Sequence, residues 1–557
     1  MDTVLKCARQ STDASPPSKP ISVEVLSELL VPPHVIQTPF ASMTASTTRV
    51  PPTSPEAVAA SVSALRASFR SGATRDLKTR LAQLQQLRRL LSENVRELQD
   101  ALFQDLRKPP AETLIAELAP VRAEISLHEE ELAHWAAPER VWTNVCNLPG
   151  RSYVQREPLG VVCVLSTWNY PVQLSLWPLV GAISAGNCVL LRLPSDDTCV
   201  HTSELLLKLV AAYLDPRFVR AVHGGVPATQ AMLTHKFDLI LCTGGVTMGR
   251  IVAQAAAKTL TPTILELGGK SPTLVDETCD VAVTARRITW AAFMNAGQTC
   301  LRPDYVMVSA KVGDELVAAI QREMAAFFGE DPQKSASYGR LITPKAFDRA
   351  AEFLERDAEF VVFGGAKDRD DQFVAPTLLN FKKDVDAFTR SAVMQEEVFS
   401  PLLPVVYYET LDDAIEFVNA REKPLALYLY SSDYSARTRV LAETSSGSAC
   451  VNDSIMQSVN LNLPFGGVGA SGMGSYHGKY SFDAFSHKKS VLIKYALFDA
   501  PQRYMPYSNS ALKIVLMLLK PLPNSLIVLG AYAFISLGFV VIGLILQIYR
   551  GGAVIDT

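Results

Sequence analysis

Apolar residues recur at helical spacing in the first part of the chain. Ser54 is followed by Pro55, a pair typical of a helix start. Leucines three or four residues apart then predict a helix with one face in the core: Leu77, Leu81, Leu84, Leu87 and Leu91. A further helix is predicted to open at Ser92 and to end before Pro109. Residues 113–136 continue as a third amphipathic segment.

The middle of the chain changes to short apolar runs separated by turns. Residues 159–191 carry no charge, but the polar or helix-breaking residues at 169–171 and 186–187 interrupt them. This pattern favours a strand, loop, helix and strand of a buried parallel sheet over a membrane span. Strands are also predicted at 218–222 and 238–242. The alternation of strands and helices predicts an α/β fold.

Two segments outside this pattern have different characters. Residues 1–53 are rich in Ser, Thr and Pro without periodicity, so they are predicted to form a disordered extension. Residues 141–155 alternate around Pro149 and Gly150, which predicts a hairpin.

The C-terminal part of the chain contains a long apolar run. Residues 525–549 carry no charge and, at ~1.5 Å per helical residue, would reach roughly 37 Å, enough to cross a bilayer core of about 30 Å. We therefore predict a transmembrane anchor at 525–549, preceded by a linker at 497–524. The charges on either side weakly favour a large domain in the cytosol.

Composition narrows the classes of function. A chain of 557 residues is expected to form two or more packed units, and its net charge of −3 gives no electrostatic reason to expect a nucleic-acid partner. The nine cysteines are scattered without any CxxC pair. This spacing argues against a disulfide framework or a metal site and indicates a reducing compartment.

Three residues could together perform acyl chemistry. Cys300 follows a glycine-containing loop after a predicted helix at Val281–Phe293, Glu266 lies between an apolar run and two glycines, and Asn169 follows another apolar strand. A thiolate nucleophile, a carboxylate base and an amide donor are the parts needed to form and hydrolyse a thioester.

A glycine turn provides a candidate nucleotide site. Gly244, Gly245 and Gly249 follow a predicted strand and lead into a predicted helix at 250–257. Glycines here allow close backbone approach, and a helix N-terminus favours phosphate. The spacing is G-x-x-x-x-G rather than the usual G-x-G-x-x-G fingerprint, so the turn alone is a weak signal.

Several sequence blocks in this chain resemble those of aldehyde dehydrogenases, most closely the class 3 or fatty aldehyde branch. The blocks lie in family order over roughly residues 56–495: PLGVV at 158–162, TWNYP at 167–171, LELGGKSP at 265–272, GQTC at 297–300, QEEVF at 395–399 and PFGGVG at 464–469. The resemblance implies a Rossmann-type cofactor domain, an α/β catalytic domain and an oligomerisation hairpin that pairs with a late strand.

The implied domains follow from this resemblance. They are a cofactor-binding domain at 54–140 and 157–265, oligomerisation strands at 141–156 and 487–496, and a catalytic domain at 266–486. A homodimer is the implied assembly.

The resemblance also implies roles for individual residues. Cys300 would attack an aldehyde, with the Asn169 amide and the Cys300 N–H holding the oxyanion, and the hydride would pass to NAD. Glu266 would then activate the water that hydrolyses the thioester. The implied cofactor contacts are Trp168, Arg192, Ser195, Gly244, Gly245, Val246, Thr247, Met248, Gly249, Glu397 and Phe399.

Three departures from the family pattern affect these expectations. Arg192 and Leu193 stand where the family usually has a single lysine, which leaves NAD and NADP as alternative cofactors. Gly245 replaces a more usual serine, a change expected to be harmless. Arg302 stands where a small residue is usual, and we expect it to narrow the substrate entrance.

The expected substrate is a long-chain fatty aldehyde. The resemblance to fatty aldehyde dehydrogenases and the predicted membrane anchor both favour an aldehyde that partitions into membranes. The alternatives are a dehydrogenase that passes the acyl group to coenzyme A and a catalytically silent membrane scaffold. The expected location is the endoplasmic reticulum surface, with the mitochondrial outer membrane and the peroxisome as alternatives.

Overall fold

The computed structural model describes residues 49–194, 198–496 and 499–520 of the chain. The described residues fall into two compact units. The larger unit contains the described residues up to Ala136 and the segment Glu157–His487. The smaller unit contains Ala137–Arg156 and the described residues from Lys488 onward.

The helices and strands follow the chain in this order. The α-helices are α1 Pro55–Arg70, α2 Leu77–Glu93, α3 Val95–Leu106, α4 Pro110–Glu112, α5 Ala119–Ala136, α6 Gln173–Ala185, α7 Val200–Tyr213, α8 Val226–Leu233, α9 Val246–Ala257, α10 Val281–Phe293, α11 Gly313–Phe328, α12 Pro344–Arg356, α13 Val385–Arg390, α14 Ala392–Gln395, α15 Leu411–Asn419, α16 Tyr434–Glu443, α17 Gly478–Ala484 and α18 Asn509–Leu519. The strands are β1 Glu139–Val141, β2 Arg151–Pro158, β3 Val161–Leu165, β4 Cys188–Arg192, β5 Val219–Val222, β6 Leu239–Thr243, β7 Thr263–Glu266, β8 Pro272–Val275, β9 Tyr305–Ser309, β10 Val361–Phe363, β11 Lys367–Asp368, β12 Phe373–Val374, β13 Thr377–Asn380, β14 Leu402–Tyr408, β15 Ala426–Tyr430, β16 Ser448–Val451, β17 Gly472–Met473 and β18 Ser486–Ile493.

The first helices confirm the leucine pattern but correct one boundary. The Ser54 side chain accepts a hydrogen bond from the Ala57 amide and so caps α1 as predicted. Ser92, however, does not start a helix. It lies inside α2, where its hydroxyl donates to the Arg88 carbonyl instead of capping, and α3 begins only after Asn94. Between α4 and α5 the chain forms one π-helical stretch, Thr113–Leu118.

The first sheet of the larger unit has six strands in the order β17-β7-β6-β3-β4-β5. All neighbouring pairs from β7 to β5 are parallel, and β17 runs antiparallel to β7. The strands β3 and β4 are buried almost throughout, and α6, which follows β3, is equally apolar. Burial on both faces explains why residues 159–191 lack charges.

The second sheet of the larger unit has seven strands in the order β10-β13-β14-β9-β8-β15-β16. Neighbours from β13 to β16 are parallel, and β10 is an antiparallel edge strand. The chain passes from the first sheet to this one between Glu266 at the end of β7 and Pro272 at the start of β8. The two sheets confirm the predicted α/β fold.

The smaller unit contains a three-stranded sheet in the order β1-β2-β18. The predicted hairpin is present as the antiparallel pair β1 and β2, and the late strand β18 joins β2. The predicted linker contains the helix α18, which exposes apolar side chains such as Leu516 and Met517. Among the described residues no helix is both long and apolar enough to cross a membrane, and the predicted span at 525–549 lies outside them.

Candidate active site

The strand order of the first sheet brings three candidate segments to one edge. From β3 the chain moves outward to β4 on one side, and β6 returns on the other side. Such a switch point opens a crevice at the carboxyl ends of the strands, where α/β proteins bind ligands. Asn169 follows β3, Gly244 follows β6, and Glu266 ends β7 beside Thr243.

The glycine turn after β6 is shaped for a ligand. Gly245 immediately precedes α9, and a methyl group on it would meet no atom within 4 Å. Gly249, by contrast, packs so closely that a methyl group would lie 2.7 Å from the Leu267 side chain. Open space therefore adjoins Gly245 at the N-terminus of α9, which fits the diphosphate of a dinucleotide. The helix begins at Val246, earlier than predicted, so Thr247 and Met248 belong to its first turn.

Arg192 reaches across the carboxyl ends of neighbouring strands. Its guanidinium donates to the Ser166 carbonyl at 3.3 Å and to the Gly224 carbonyl at 3.4 Å. Leu193 is fully buried. Ser195, the other residue predicted in this region, lies outside the described residues.

Glu397 and Phe399, which are predicted to contact the nicotinamide half of the cofactor, pack against other parts of the crevice. A methyl group on Gly268 would overlap the Glu397 carboxylate, so only glycine allows this approach. The Gly269 amide donates to Glu397, but burial dominates and raises the pKa of Glu397 to about 8. Phe399 meets Trp168 edge to face, with ring centroids 5.5 Å apart.

Charged side chains that the sequence analysis did not single out hold the segment that carries Glu397 and Phe399. Lys270 lies 2.5 Å from Asp304 and also donates to the Glu396 carbonyl. Asp304 accepts from the Val398 amide, and Arg349 donates to the Glu397 and Val398 carbonyls. The backbone that carries Glu397 and Phe399 is therefore fixed from two sides.

Cys300 lies on a loop whose backbone is bent sharply after α10. Asn295 and Ala296 both have positive φ angles, 54° and 51°, and Gly297 has φ 73°. A methyl group on Gly297 would also overlap the Ser400 carbonyl. The Gln298 side chain ties the loop to the Arg340 carbonyl and the Ile342 amide.

The Cys300 thiol is half-buried, and its surroundings disfavour the thiolate. Burial raises the pKa of Cys300 to about 12, and the Glu397 and Glu266 carboxylates raise it in the same direction. The protein groups around Cys300 therefore oppose formation of the predicted thiolate.

The Asn169 side chain is held beside the Cys300 loop. Its side-chain Nδ2 donates to the Gln298 carbonyl at 3.1 Å, while its main-chain carbonyl accepts from the Asn295 side chain at 2.8 Å. Lys108 donates to the same main-chain carbonyl at 3.0 Å. The bond to Gln298 orients the side-chain amide, and its second N–H stays available for an oxyanion.

Glu266 is buried without a counter-charge. Its side chain is 2% exposed, and neither carboxyl oxygen has a hydrogen-bond partner among the residues described. Burial raises its pKa well above the usual range. A carboxylate in this environment has the increased proton affinity that a general base needs.

The cavity that contains Cys300 has a volume of about 300 Å³ and mainly apolar walls. It includes a residue that sequence reasoning missed. His477 is stacked between Trp177, at 3.9 Å, and Phe465, at 4.7 Å. Neither ring nitrogen of His477 has a partner among the described residues, and burial lowers its pKa to about 4. No motif in the sequence distinguishes this histidine.

A second missed group lies behind Asn169. Lys108 and Glu117 are both fully buried and 2.5 Å apart. Glu117, in the π-helical stretch, also accepts from the amides of Val172 and Gln173. The pair thus holds the segment that carries Asn169. Because Glu117 and Val172 are 55 residues apart, no local sequence pattern indicates this contact.

The expectation for Arg302 is wrong. Its side chain is 1% exposed and donates to the carbonyls of Ala292 and Leu402, with Asp304 at 3.6 Å. Arg302 is therefore bonded inside the core next to β14 and does not line the Cys300 cavity.

A nucleophilic cysteine, a buried carboxylate and a dinucleotide crevice define an NAD(P)-dependent oxidoreductase that acts on aldehydes. A model of the aldehyde dehydrogenase family matches residues 37–491, and the chain belongs to that family. Its relatives place it in the class 3 branch.

Two of these relatives and one solved structure illustrate the similarity. The chain is 44% identical to human aldehyde dehydrogenase family 3 member B1, over 81% of this chain and 95% of the relative. It is 43% identical to the rat dimeric NADP-preferring aldehyde dehydrogenase, over 79% of this chain and 96% of the relative. A substrate-bound structure of AldH from Staphylococcus aureus matches with a TM-score of 0.80 and 37% identity, over 83% of this chain and 99% of that one.

Proposed function

We propose that this enzyme oxidises long-chain fatty aldehydes to carboxylic acids through a thioester on Cys300. The observation that carries the proposal is the placement of Cys300 in an apolar cavity, with Asn169 bonded to its loop. Apolar walls suit an alkyl chain, and the cysteine at the wall suits the aldehyde carbon.

The first step is attack of the Cys300 sulfur on the aldehyde carbon. The thiol first releases its proton to solvent water, and its raised pKa opposes this loss. NAD(P)⁺, when bound, supplies positive charge and accepts the hydride from the aldehyde carbon. The Asn169 Nδ2 and the Cys300 amide stabilise the tetrahedral oxyanion. Loss of the hydride then leaves the acyl group as a thioester on Cys300.

The second step is hydrolysis of the thioester, with Glu266 as the base. Glu266 takes a proton from water, and the resulting hydroxide attacks the thioester carbon. The C–S bond of the thioester breaks, the acid leaves, and Glu266 returns the proton it took from water to the Cys300 sulfur. Gly268 and Gly269 next to Glu266 provide the backbone freedom for its side chain to approach the water.

The cofactor is held by the segments around the crevice. The first turn of α9, with Gly244 and Gly245, would hold the diphosphate, and Glu397 and Phe399 would contact the nicotinamide half beside Trp168. The Arg192 region would contact the adenosine ribose. A relative is described as NADP-preferring, so both NAD and NADP remain candidates for this chain.

The substrate proposal is tested with saturated aldehydes from hexanal to hexadecanal, each with NAD⁺ or NADP⁺ and without coenzyme A. We expect reduced cofactor and free acid in equal amounts, with a lower KM for the longer chains. Turnover only when coenzyme A is present would instead support the acylating alternative. No turnover with any aldehyde would support the silent scaffold.

We also propose that residues 525–549 anchor the enzyme in a membrane, with the catalytic units in the cytosol and the endoplasmic reticulum as the favoured location. The support is the uncharged apolar run in the sequence. Full-length protein should stay in the pellet after alkaline carbonate washing, whereas protein lacking 521–557 should not. Release of both forms would refute the anchor.

A homodimer is the proposed assembly. Support comes from the sheet β1-β2-β18, which includes the two segments predicted to oligomerise, and from a relative described as dimeric. Light scattering of the purified enzyme would give the mass directly. A mass of one chain would contradict the proposal.

A further inference from the structure

A second cavity lies beside the one that contains Cys300. Its volume is about 310 Å³, and its walls are mainly apolar, with Phe293, Phe327 and Phe328 among them. Both volumes are near the lower limit of small-molecule sites. The second cavity contains none of the residues assigned to cofactor or catalysis, so its function is not explained by the mechanism above.

The two cavities share a wall. Ile115, Trp290 and Met294 line both of them. Ile115 lies in the π-helical stretch and is 57% exposed, so neighbouring atoms do not enclose its side chain. Met294 follows α10, and a methionine side chain adapts its shape readily. Rotation of these two side chains would join the cavities.

The chemistry of the second cavity suits an alkyl chain. Glu112 is its acidic residue, and burial raises the pKa of that carboxyl above the usual range. One carboxyl oxygen of Glu112 lacks a partner among the described residues, and the Asn295 amide donates to the side chain. The other lining residues are uncharged and mostly apolar, so an apolar occupant would remove the apolar surface of the cavity from water.

We propose that this second cavity is a distal subsite for the far end of an aldehyde chain too long for the Cys300 cavity. The chain would pass between the side chains of Ile115, Trp290 and Met294. This inference rests on the proposed function, because it names where that same substrate places its distal methylenes. It predicts that chain-length preference is set in part outside the Cys300 cavity.

The test uses substitutions that place a larger side chain in the second cavity and leave the residues of the Cys300 cavity unchanged. Ala111 and Ser337 line only the second cavity, and both are exposed at its rim. Ala111→Trp and Ser337→Trp are therefore two independent filling variants. Ala60→Trp is the matched control, because Ala60 is exposed on α1 and lines neither cavity.

Full-length enzyme in detergent is assayed with hexanal and hexadecanal under the same conditions. Loss of about two buried methylenes predicts a rise in KM for hexadecanal of roughly tenfold in each filling variant. The kinetic constants for hexanal should stay within about twofold of the parent in all variants. Unchanged thermal unfolding confirms that each variant is folded, and either filling variant is sufficient for the test.

The outcomes separate the subsite from the proposed function. Equal effects on hexanal and hexadecanal, or no effect on hexadecanal, would overturn the subsite and leave aldehyde oxidation intact. Parent enzyme that oxidises hexanal but not hexadecanal would overturn the long-chain substrate together with the subsite. Parent enzyme that oxidises neither would overturn the proposed function as a whole, and the subsite with it.

Discussion

Glu266 and His477 form the lining around Cys300, and this lining and the layer of paired residues behind it treat buried polar groups in opposite ways. In the lining, Glu266 and His477 are almost completely buried yet lack hydrogen-bond partners among the described residues. Behind the lining, Lys108 is paired with Glu117 at full burial, and the buried Asp304 is paired with Lys270, which is 17% exposed. An unsatisfied buried polar group costs about 1–3 kcal/mol, so the lining is kept at a cost to stability.

This difference separates groups that react from groups that position. Substrate, water or cofactor can satisfy the groups of the lining, and their pKa values are shifted mainly by burial. The paired groups are satisfied by the protein itself and bind the backbone next to Asn169 and Glu397. Substitutions in the lining should therefore change chemistry, while substitutions behind it should change stability and geometry.

The largest effect is expected at the nucleophile. Cys300→Ser should lower kcat for aldehyde oxidation at least about a thousandfold, because a neutral hydroxyl without an adjacent base is a poor nucleophile. Thermal unfolding should change little, since the thiol is half-buried and the substitution is small. Steady-state reduction of NAD⁺ measures the loss, and near-parental turnover would place the nucleophile elsewhere.

Substitution of the general base, Glu266, should slow only the hydrolysis of the thioester. Glu266→Gln should slow hydrolysis of the thioester by about 10²–10⁴-fold, while formation of the thioester is preserved. Stopped-flow absorbance should show a burst of NADH close to one per active site, followed by slow turnover. Loss of the burst in folded protein would instead assign Glu266 a general positioning role.

The layer behind the lining should respond differently. Lys108→Met leaves Glu117 as a buried charge without its partner, so we expect a loss of about 3–5 kcal/mol in the free energy of unfolding. We also expect kcat to fall by roughly tenfold, because the main-chain carbonyl of Asn169 loses a hydrogen-bond donor that helps to position this residue. Urea unfolding and steady-state kinetics measure the two effects.

The matched control for this prediction is Lys108→Met combined with Glu117→Gln. The glutamine carbonyl can still accept from the Val172 and Gln173 amides, and no buried charge is left. The double variant should therefore be more stable than Lys108→Met alone. A double variant that is equally or less stable would show that the cost does not come from the lone charge.

These residues also show what a sequence can predict. The helix α10 has the bounds predicted from the sequence, and the structure shows that the Asp280 side chain caps its start, which is a local interaction. Cys300, Glu266 and Asn169 could be selected because each lies at a recognisable junction between a strand or helix and a loop.

The remaining parts depend on contacts between distant segments. Lys108 is positioned by its bond to the main-chain carbonyl of Asn169, and Glu117 accepts from the Gln173 amide at the start of α6. No local sequence pattern indicates either contact. Arg302 was assigned wrongly, because its place two residues after Cys300 suggested a position at the substrate entrance, whereas carbonyl acceptors allow its burial. Residues 1–48 of the predicted extension, Ser195 and the span at 525–549 lie outside the described residues, so those predictions stay predictions. The end of the extension was predicted wrongly, because Thr53 exchanges hydrogen bonds with His223 and is therefore ordered.

The smallest expected effect concerns His477 and acid pH. The pKa of His477 is lowered from 6.5 to about 4, so the unfolded chain binds more protons between these values. Stability should therefore fall as pH decreases, by about 2 kcal/mol from His477 alone between pH 6.5 and about pH 4.5. His477→Phe keeps an aromatic ring between Trp177 and Phe465 and should show a shallower decrease. Equal pH slopes by urea unfolding would contradict the assigned burial cost.

The central claim is that the aldehyde becomes an acyl thioester on Cys300. The most direct measurement is mass spectrometry of Glu266→Gln enzyme quenched in acid after mixing with NAD⁺ and hexanal. The account predicts that the peptide containing Cys300 gains the mass of hexanal less two hydrogens, and that Cys300→Ser in the same background removes the adduct. An unmodified Cys300 peptide in enzyme that has produced one equivalent of NADH would contradict the account.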